Sequence, residues 1–164
     1  MKFASWIAGA CCCATVLGGS LALLSAPGFA HGGATGVVKA RMDLMGDLGK
    51  AMKSLGGMAR GKTSYNAEEA MIAGESLNAH GGNALTDLFP EGSLEGPSEA
   101  REEIWTDWDR FAQFADQLQA AGKGIAAAAA LQPNATSLPD DVKAAFGQAA
   151  SSCSGCHKAF RLKR

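Results

Sequence analysis

Two pairs of prolines, Pro90 with Pro97 and Pro133 with Pro139, set the outer limits of what this chain can fold into. Proline lacks an amide hydrogen and its ring collides with the preceding helical turn, so no helix runs through either pair. Each pair brackets a polar or glycine-containing stretch, and a third break lies at Gly56-Gly57 through Gly61-Lys62-Thr63-Ser64. Between the breaks β-branched residues are sparse, Tyr65 is the one tyrosine, and Ala, Leu, Met, Gln and Glu dominate. Three breaks in a chain without strand signals predict four helices.

The periodicity places them. The first is predicted over residues 35 to 58, with Val38, Met45 and Met52 seven apart and Leu48 and Leu55 between them. The second begins near Asn66, where Asn66-Ala67-Glu68-Glu69 resembles a capping box, and carries Met71, Leu77, Leu85 and Leu88. The third starts after Pro97-Ser98, with Ile104, Trp108, Phe111, Ala115 and Leu118 in steps of four and three, and the run from Ala126 to Ala130 extends it. The fourth starts around Ser137-Leu138-Pro139-Asp140 with the stripe Val142, Phe146, Ala149, Cys153, Cys156 and Phe160. Four helices of about five turns with moderate connections predict an all-α, antiparallel four-helix bundle.

The five cysteines divide by position. Cys11, Cys12 and Cys13 lie in an apolar stretch from Ile7 to Leu24 that follows Lys2 and ends in Ser25-Ala26-Pro27-Gly28-Phe29-Ala30. A basic start, an apolar middle and small residues three and one before His31 read as a secretory signal peptide over residues 1–30. An uncleaved anchor is the alternative, since the stretch approaches spanning length, but Pro27 and the small-residue site favour cleavage. A lipoprotein fits less well, because Ala8-Gly9-Ala10 is a short apolar run before Cys11. Cleavage leaves residues 31–164 as one domain with two cysteines, Cys153 and Cys156. The chain has 16 acidic and 15 basic side chains, and losing Lys2 makes the remainder −2. That balance, with no polybasic run, argues against a dedicated nucleic-acid binder.

Cys153-Ser154-Gly155-Cys156-His157 is the C-x-x-C-H pattern of c-type haem attachment. On a helix Cys153 and His157 lie one above the other and Cys156 stands beside the histidine. Two thiols can thus meet the two vinyl groups at one haem edge while the imidazole rises toward the iron, and Ser154 and Gly155 are small enough not to crowd the macrocycle. A zinc site would need two further ligands, with His31 and His80 the remaining histidines, and a thioredoxin-like dithiol would need a βαβ setting that this chain lacks.

Arg41 falls at the position that Leu48 and Leu55 occupy one and two heptads later, so a permanent cation points inward and calls for an anion. A haem propionate supplies one; pairing with Asp43 or a carboxylate of the third helix is the alternative. Met45, one turn on, presents a thioether that could be the sixth iron ligand opposite His157, with Met42 and Met52 as competitors and simple core filling as the plain reading.

The residues after the signal resemble, over nearly their whole length, the cytochrome c-prime family, in particular its low-spin, six-coordinate His/Met members. The matching stretches are Val38-Lys39-Ala40-Arg41 with Met45, Leu88-Phe89-Pro90-Glu91-Gly92-Ser93, Glu103-Ile104-Trp105 with Asp107, and Ala145-Phe146-Gly147 leading to Cys153 through Arg161. The resemblance implies one covalent haem c on Cys153 and Cys156, His157 as proximal ligand, Arg41 near a propionate, and Trp105 and Arg161 close to the haem. It implies a six-coordinate iron where the residue four after the arginine is methionine, as Met45 is. Met42 departs from the glutamine common among relatives. The resemblance also implies homodimers through the first two helices, unless Gly46 and Gly49 serve internal packing.

A His/Met haem has no open coordination position, so the expected function is a non-enzymatic, periplasmic one-electron carrier working with redox partner proteins. The alternative is a five-coordinate haem protein that binds nitric oxide or carbon monoxide. A third class is a haem-free metal or dithiol protein, in which His31 at the new N-terminus could chelate copper; His80 reads as a surface residue.

Overall fold

The computed structural model describes residues 33–163; the predicted signal peptide and His31 lie outside them. The described chain is helical. Helix α1 spans Gly36–Ala59, α2 Ala67–His80, and the single turns α3 and α4 Asn83–Thr86 and Glu103–Thr106; α5 spans Trp108–Leu131 and α6 Asp140–Phe160. The four long helices form an antiparallel bundle in which α5 packs against both α2 and α6, and α1 leans on α2. Helices α1 and α6 touch at few points, and the gap between them becomes the site.

Local chemistry explains the boundaries. Asn66 caps α2 through its side-chain oxygen, which accepts from the Glu69 amide at 2.9 Å, the first of the two bonds of a capping box. Past the end of α1, Gly61 adopts φ +65° while its amide donates to the Met58 carbonyl at 3.0 Å. Helix α6 starts directly after Pro139 with Asp140 and Asp141 in its first turn, where their charge suits the positive helix end.

Two expectations need correction. The second helix does not continue to Leu85 and Leu88; it stops at His80, and Leu85 is buried from the separate turn α3. The chain is pressed onto α5 there. The Gly82 amide donates to the Ala115 carbonyl at 2.9 Å, and a Cβ on Gly81 would lie 2.7 Å from the Gln119 backbone nitrogen. Gly82 also needs φ +56°, which favours glycine. The third helix is likewise split at Asp107 (φ −129°, ψ +48°), which leaves Trp108 38% exposed instead of on the inner stripe.

The core holds Leu48 and Leu55 of α1, Leu77 of α2, Phe111, Leu118 and Ile125 of α5, and Val142, Ala149 and Phe160 of α6. Fully burying each large side chain contributes about 1.5–3 kcal/mol. Helices α2 and α5 meet through glycines: a Cβ on Gly122 would lie 2.4 Å from the Asn78 nitrogen, and one on Gly74 2.6 Å from the Ala126 nitrogen. Gly46 and Gly49 are different. A Cβ on either meets nothing within 4 Å, so internal packing does not explain them.

Candidate cofactor site

A cavity of about 740 Å³ lies between α1 and α6, within the ~300–1,000 Å³ common for small-molecule and cofactor pockets. One wall is the α1 face carrying Val38, Arg41, Met42, Met45, Leu48 and Met52. The other carries Cys153, Ser154, Cys156, His157, Phe160 and Arg161 from the last two turns of α6 and the residue after them. Phe89, Ser98, Glu99, Ala100, Ile104 and Phe111 close the remaining sides. Seven-residue spacing on α1 and the three- and four-residue spacing on α6 thus bring the predicted thioether, thiols and imidazole to one cavity. A second hollow of about 550 Å³, between Tyr65, Met71 and Ala129, contains no cysteine or histidine.

Cys153 and Cys156 are both half-buried free thiols. Burial pushes both up, Cys156 to about 11 with the Cys153 sulfur adding to it. A redox dithiol or a thiolate metal ligand needs the opposite shift. Among the described residues no group of three His, Cys, Asp or Glu side chains is arranged to hold a metal ion. His157 sits on the exposed side of the wall, and its imidazole is pushed down by desolvation and by the Arg161 cation, with Glu99 opposing. Its neutral form, the one that ligates iron, is therefore favoured.

Arg41 is only 5% exposed, and three of the five N–H groups of its guanidinium are engaged. Nε donates to the Leu88 carbonyl at 2.5 Å and Nη1 to the Ser93 carbonyl at 2.7 Å, while Nη2 donates to the Ser93 hydroxyl. The ring of Phe89 stacks beneath it, 4.3 Å from the guanidinium carbon to the centroid. Neutral oxygens of the 88–93 loop thus take three of its hydrogen bonds and leave its charge unpaired. Asp43 pairs with Lys39 instead. The charge of Arg41 remains without a carboxylate in the ion pairs among the described residues.

Trp105 stands one step behind the wall. Its indole donates to the Phe89 carbonyl at 3.0 Å, so it reaches the cavity through Phe89, and Ile104 is the α4 residue on the lining. Arg161 does line the cavity and pairs with Glu99 at 2.8 Å. Gly155 serves a purpose other than the one spacing suggested: a Cβ there would lie 2.6 Å from Cε1 of Phe114, so its smallness lets α6 approach α5. Ser152, 3% exposed, fastens the same interface by donating to the Phe114 carbonyl at 2.6 Å. Phe89 and Glu99 were not identified from sequence as site residues. Both belong to the segment between α3 and α4, where no periodicity marks an inward position.

The residues present fit a c-type haem. Two protonated thiols and a neutral imidazole stand on one helix turn, a thioether stands on another wall, and a buried cation adjoins a mainly apolar cavity whose far rim carries the Arg161–Glu99 pair. Comparison with known proteins points the same way. The family model described as Cytochrome C' matches residues 36–161. Cytochrome c-554 of Cereibacter sphaeroides is 35% identical over 131 residues, covering 77% of this chain and 93% of that protein. Cytochrome c prime of Shewanella frigidimarina superposes with TM-score 0.68 at 24% identity, over 77% of this chain and 94% of that one. A nitric oxide complex of a cytochrome c prime variant from Alcaligenes xylosoxidans superposes with TM-score 0.64 at 30% identity, over 77% and 94%. With fold, motif and comparisons in agreement, the chain belongs to the cytochrome c′ family of four-helix-bundle, covalent haem c proteins.

Proposed function

We propose that the protein is a periplasmic one-electron carrier whose haem is held by Cys153 and Cys156, with His157 as proximal and Met45 as distal iron ligand. The supporting observation is that α1 contributes Met45 to the cavity whose α6 wall carries both thiols and the imidazole. Bound there, haem supplies a one-electron ferric–ferrous couple. The chain's own residues set its conditions. The Met45 thioether and the apolar side chains of Val38, Leu48 and Phe111 favour the ferrous state, which raises the potential. Arg41 offers its unneutralised charge to a propionate, and Arg161 gives a second cation on the opposite wall. Phe89, braced by Trp105 and Arg41, adds a buried aromatic ring to the cavity lining.

The periplasmic assignment rests on the sequence reading of residues 1–30; among the described residues no helix is long and apolar enough to cross a membrane. A homodimer through α1 and α2 belongs to the same proposal, supported by the open face at Gly46 and by Ile72, 55% exposed on α2. Light scattering on the eluting protein tests it, and a monomeric mass at high concentration refutes it.

One observation favours a second reading, that of a gas-binding protein: the Alcaligenes relative was solved with nitric oxide. Without Met45 as a ligand, the distal wall of Met42, Leu48, Met52 and Phe89 would admit a diatomic gas. Met45→Ala separates the two. On the carrier reading a low-spin spectrum becomes high-spin and acquires sensitivity to carbon monoxide. A spectrum that stays low-spin removes Met45 from the ligand set, and a high-spin spectrum in the unsubstituted protein favours the gas binder.

A further inference from the structure

Charge is distributed very unevenly along this chain. Residues 31–141 hold nine basic against sixteen acidic side chains, while residues 142–164 hold five basic and no acidic ones. Because α6 ends at Phe160, four of those five, Lys158, Arg161, Lys163 and Arg164, fall in its last turn and the tail beyond. His157 opens to solvent in the same turn. A cation in the final turn complements the helix dipole, but that accounts for Lys158 alone and not for the basic tail past the helix.

The surface is also held in place. The Arg101 amide donates to the Phe160 carbonyl at 3.0 Å and the Leu162 amide to the Glu99 carbonyl at 2.8 Å, so the segment around Ala100 pins the residues after α6. Two of the three carboxylates of the 99–103 segment are engaged. Glu99 pairs with Arg161 and Glu103 with Arg101, whereas Lys158 and Lys163 enter none of the ion pairs among the described residues. Between them Leu162 is 50% exposed, an apolar centre in a basic rim.

We infer that this face, Lys158, Leu162 and Lys163 beside His157, docks an electron-transfer partner that presents an acidic surface. The inference rests on the carrier reading and adds the route and the partner's chemistry. One electron passes between the site and a partner in the opposite redox state; no bond forms or breaks and no proton moves. The local charge is opposite in sign to the whole molecule, which is −2 once Lys2 is lost and more negative still with haem propionates. Steering by the local face and by net charge therefore predict opposite salt effects.

The experiment is stopped-flow oxidation of the ferrous holoprotein by hexacyanoferrate(III), an anionic one-electron oxidant, and by tris(phenanthroline)cobalt(III), a cationic one. Docking at the face predicts that the hexacyanoferrate rate falls as salt rises and the cobalt rate does not. Reversing two charges together, Lys158→Glu with Lys163→Glu, should slow hexacyanoferrate about tenfold or more at low ionic strength. At 0.1 M ionic strength Lys62→Glu should leave it unchanged, because Lys62 lies past the far end of α1, about 30 Å from Arg41 and some three Debye lengths away. A hexacyanoferrate rate that rises with salt, or is indifferent to the double reversal, overturns the docking face alone. Failure to react with either oxidant overturns the carrier reading and the docking face together. Sedimentation of the holoprotein with phosphatidylglycerol vesicles, lost in the double variant, would reassign the face to a lipid surface and overturn the protein partner.

Discussion

Replacing Arg41 by lysine tests how the site is held shut on its α1 side. Lysine keeps the charge and the aliphatic stem but exchanges a planar fork for one ammonium. In the structure the fork serves three acceptors on the 88–93 loop, and at 5% exposure water does not replace a lost partner. A hydrogen bond from a charged donor contributes about 1.5–3 kcal/mol, and stacking on Phe89 about 0.5–2 kcal/mol. An ammonium at this distance from two carbonyls loses at least one such bond and the planar stacking. Arg41→Lys should therefore destabilise the holoprotein by about 2–4 kcal/mol in urea unfolding, with the m-value unchanged. The loop should loosen first. Amide exchange at Phe89 and Ser93, which donate to Thr86 and Pro90, should accelerate more than exchange in α5. A stability within about 0.5 kcal/mol of the parent, or a loop whose exchange does not change, refutes the bracing role.

Three further outcomes follow from the geometry. Gly155→Ala should cost about 1–3 kcal/mol by pushing the Phe114 ring out of the α5–α6 interface, while Ser154→Ala, on an exposed position, should change stability by less than about 0.5 kcal/mol. Trp105→Phe removes the donor to the Phe89 carbonyl and should lose about 1 kcal/mol and speed exchange in the 88–93 loop. In the chain prepared without haem, a Cys156 thiol at about 11 in place of 9.0 should react with iodoacetamide about a hundredfold more slowly at pH 7 than in urea. The folded thiol sits above the unfolded one, so its contribution to stability is complete below pH 9 and is lost as pH rises toward 11. Labelling as fast as in urea at pH 7 contradicts that burial.

The helices that sequence located best are those whose signals are local. Residues 35 to 58 carry a heptad stripe bounded by glycines, and α1 spans Gly36–Ala59; Asn66 and Glu69 make a cap within four residues. The end of α2 was not legible in this way. Leu85 and Leu88 continue an apolar pattern past Gly81-Gly82, and the reason the helix stops is the approach of Ala115 and Gln119, residues more than thirty positions away. Trp108 was placed inward by assuming one continuous helix, and the break at Asp107 turns it toward solvent. At the site, Cys153, Cys156 and His157 were legible from the C-x-x-C-H motif, whereas spacing put Met45 on the inner face of α1 without separating it from Met42 and Met52, and only the resemblance singled it out. Arg41 was recognised as buried, but its acceptors are loop carbonyls, which every residue possesses and no pattern marks. Phe89 and Glu99 share that difficulty, since the loop that places them is shaped by contacts with Arg41 and the end of α6.

The central claim, a haem closed on both faces by His157 and Met45, is tested most directly by adding carbon monoxide to the reduced, unsubstituted holoprotein and recording its optical spectrum. The account predicts a low-spin ferrous spectrum that carbon monoxide leaves unchanged. A high-spin spectrum that shifts at once on adding the gas would contradict it.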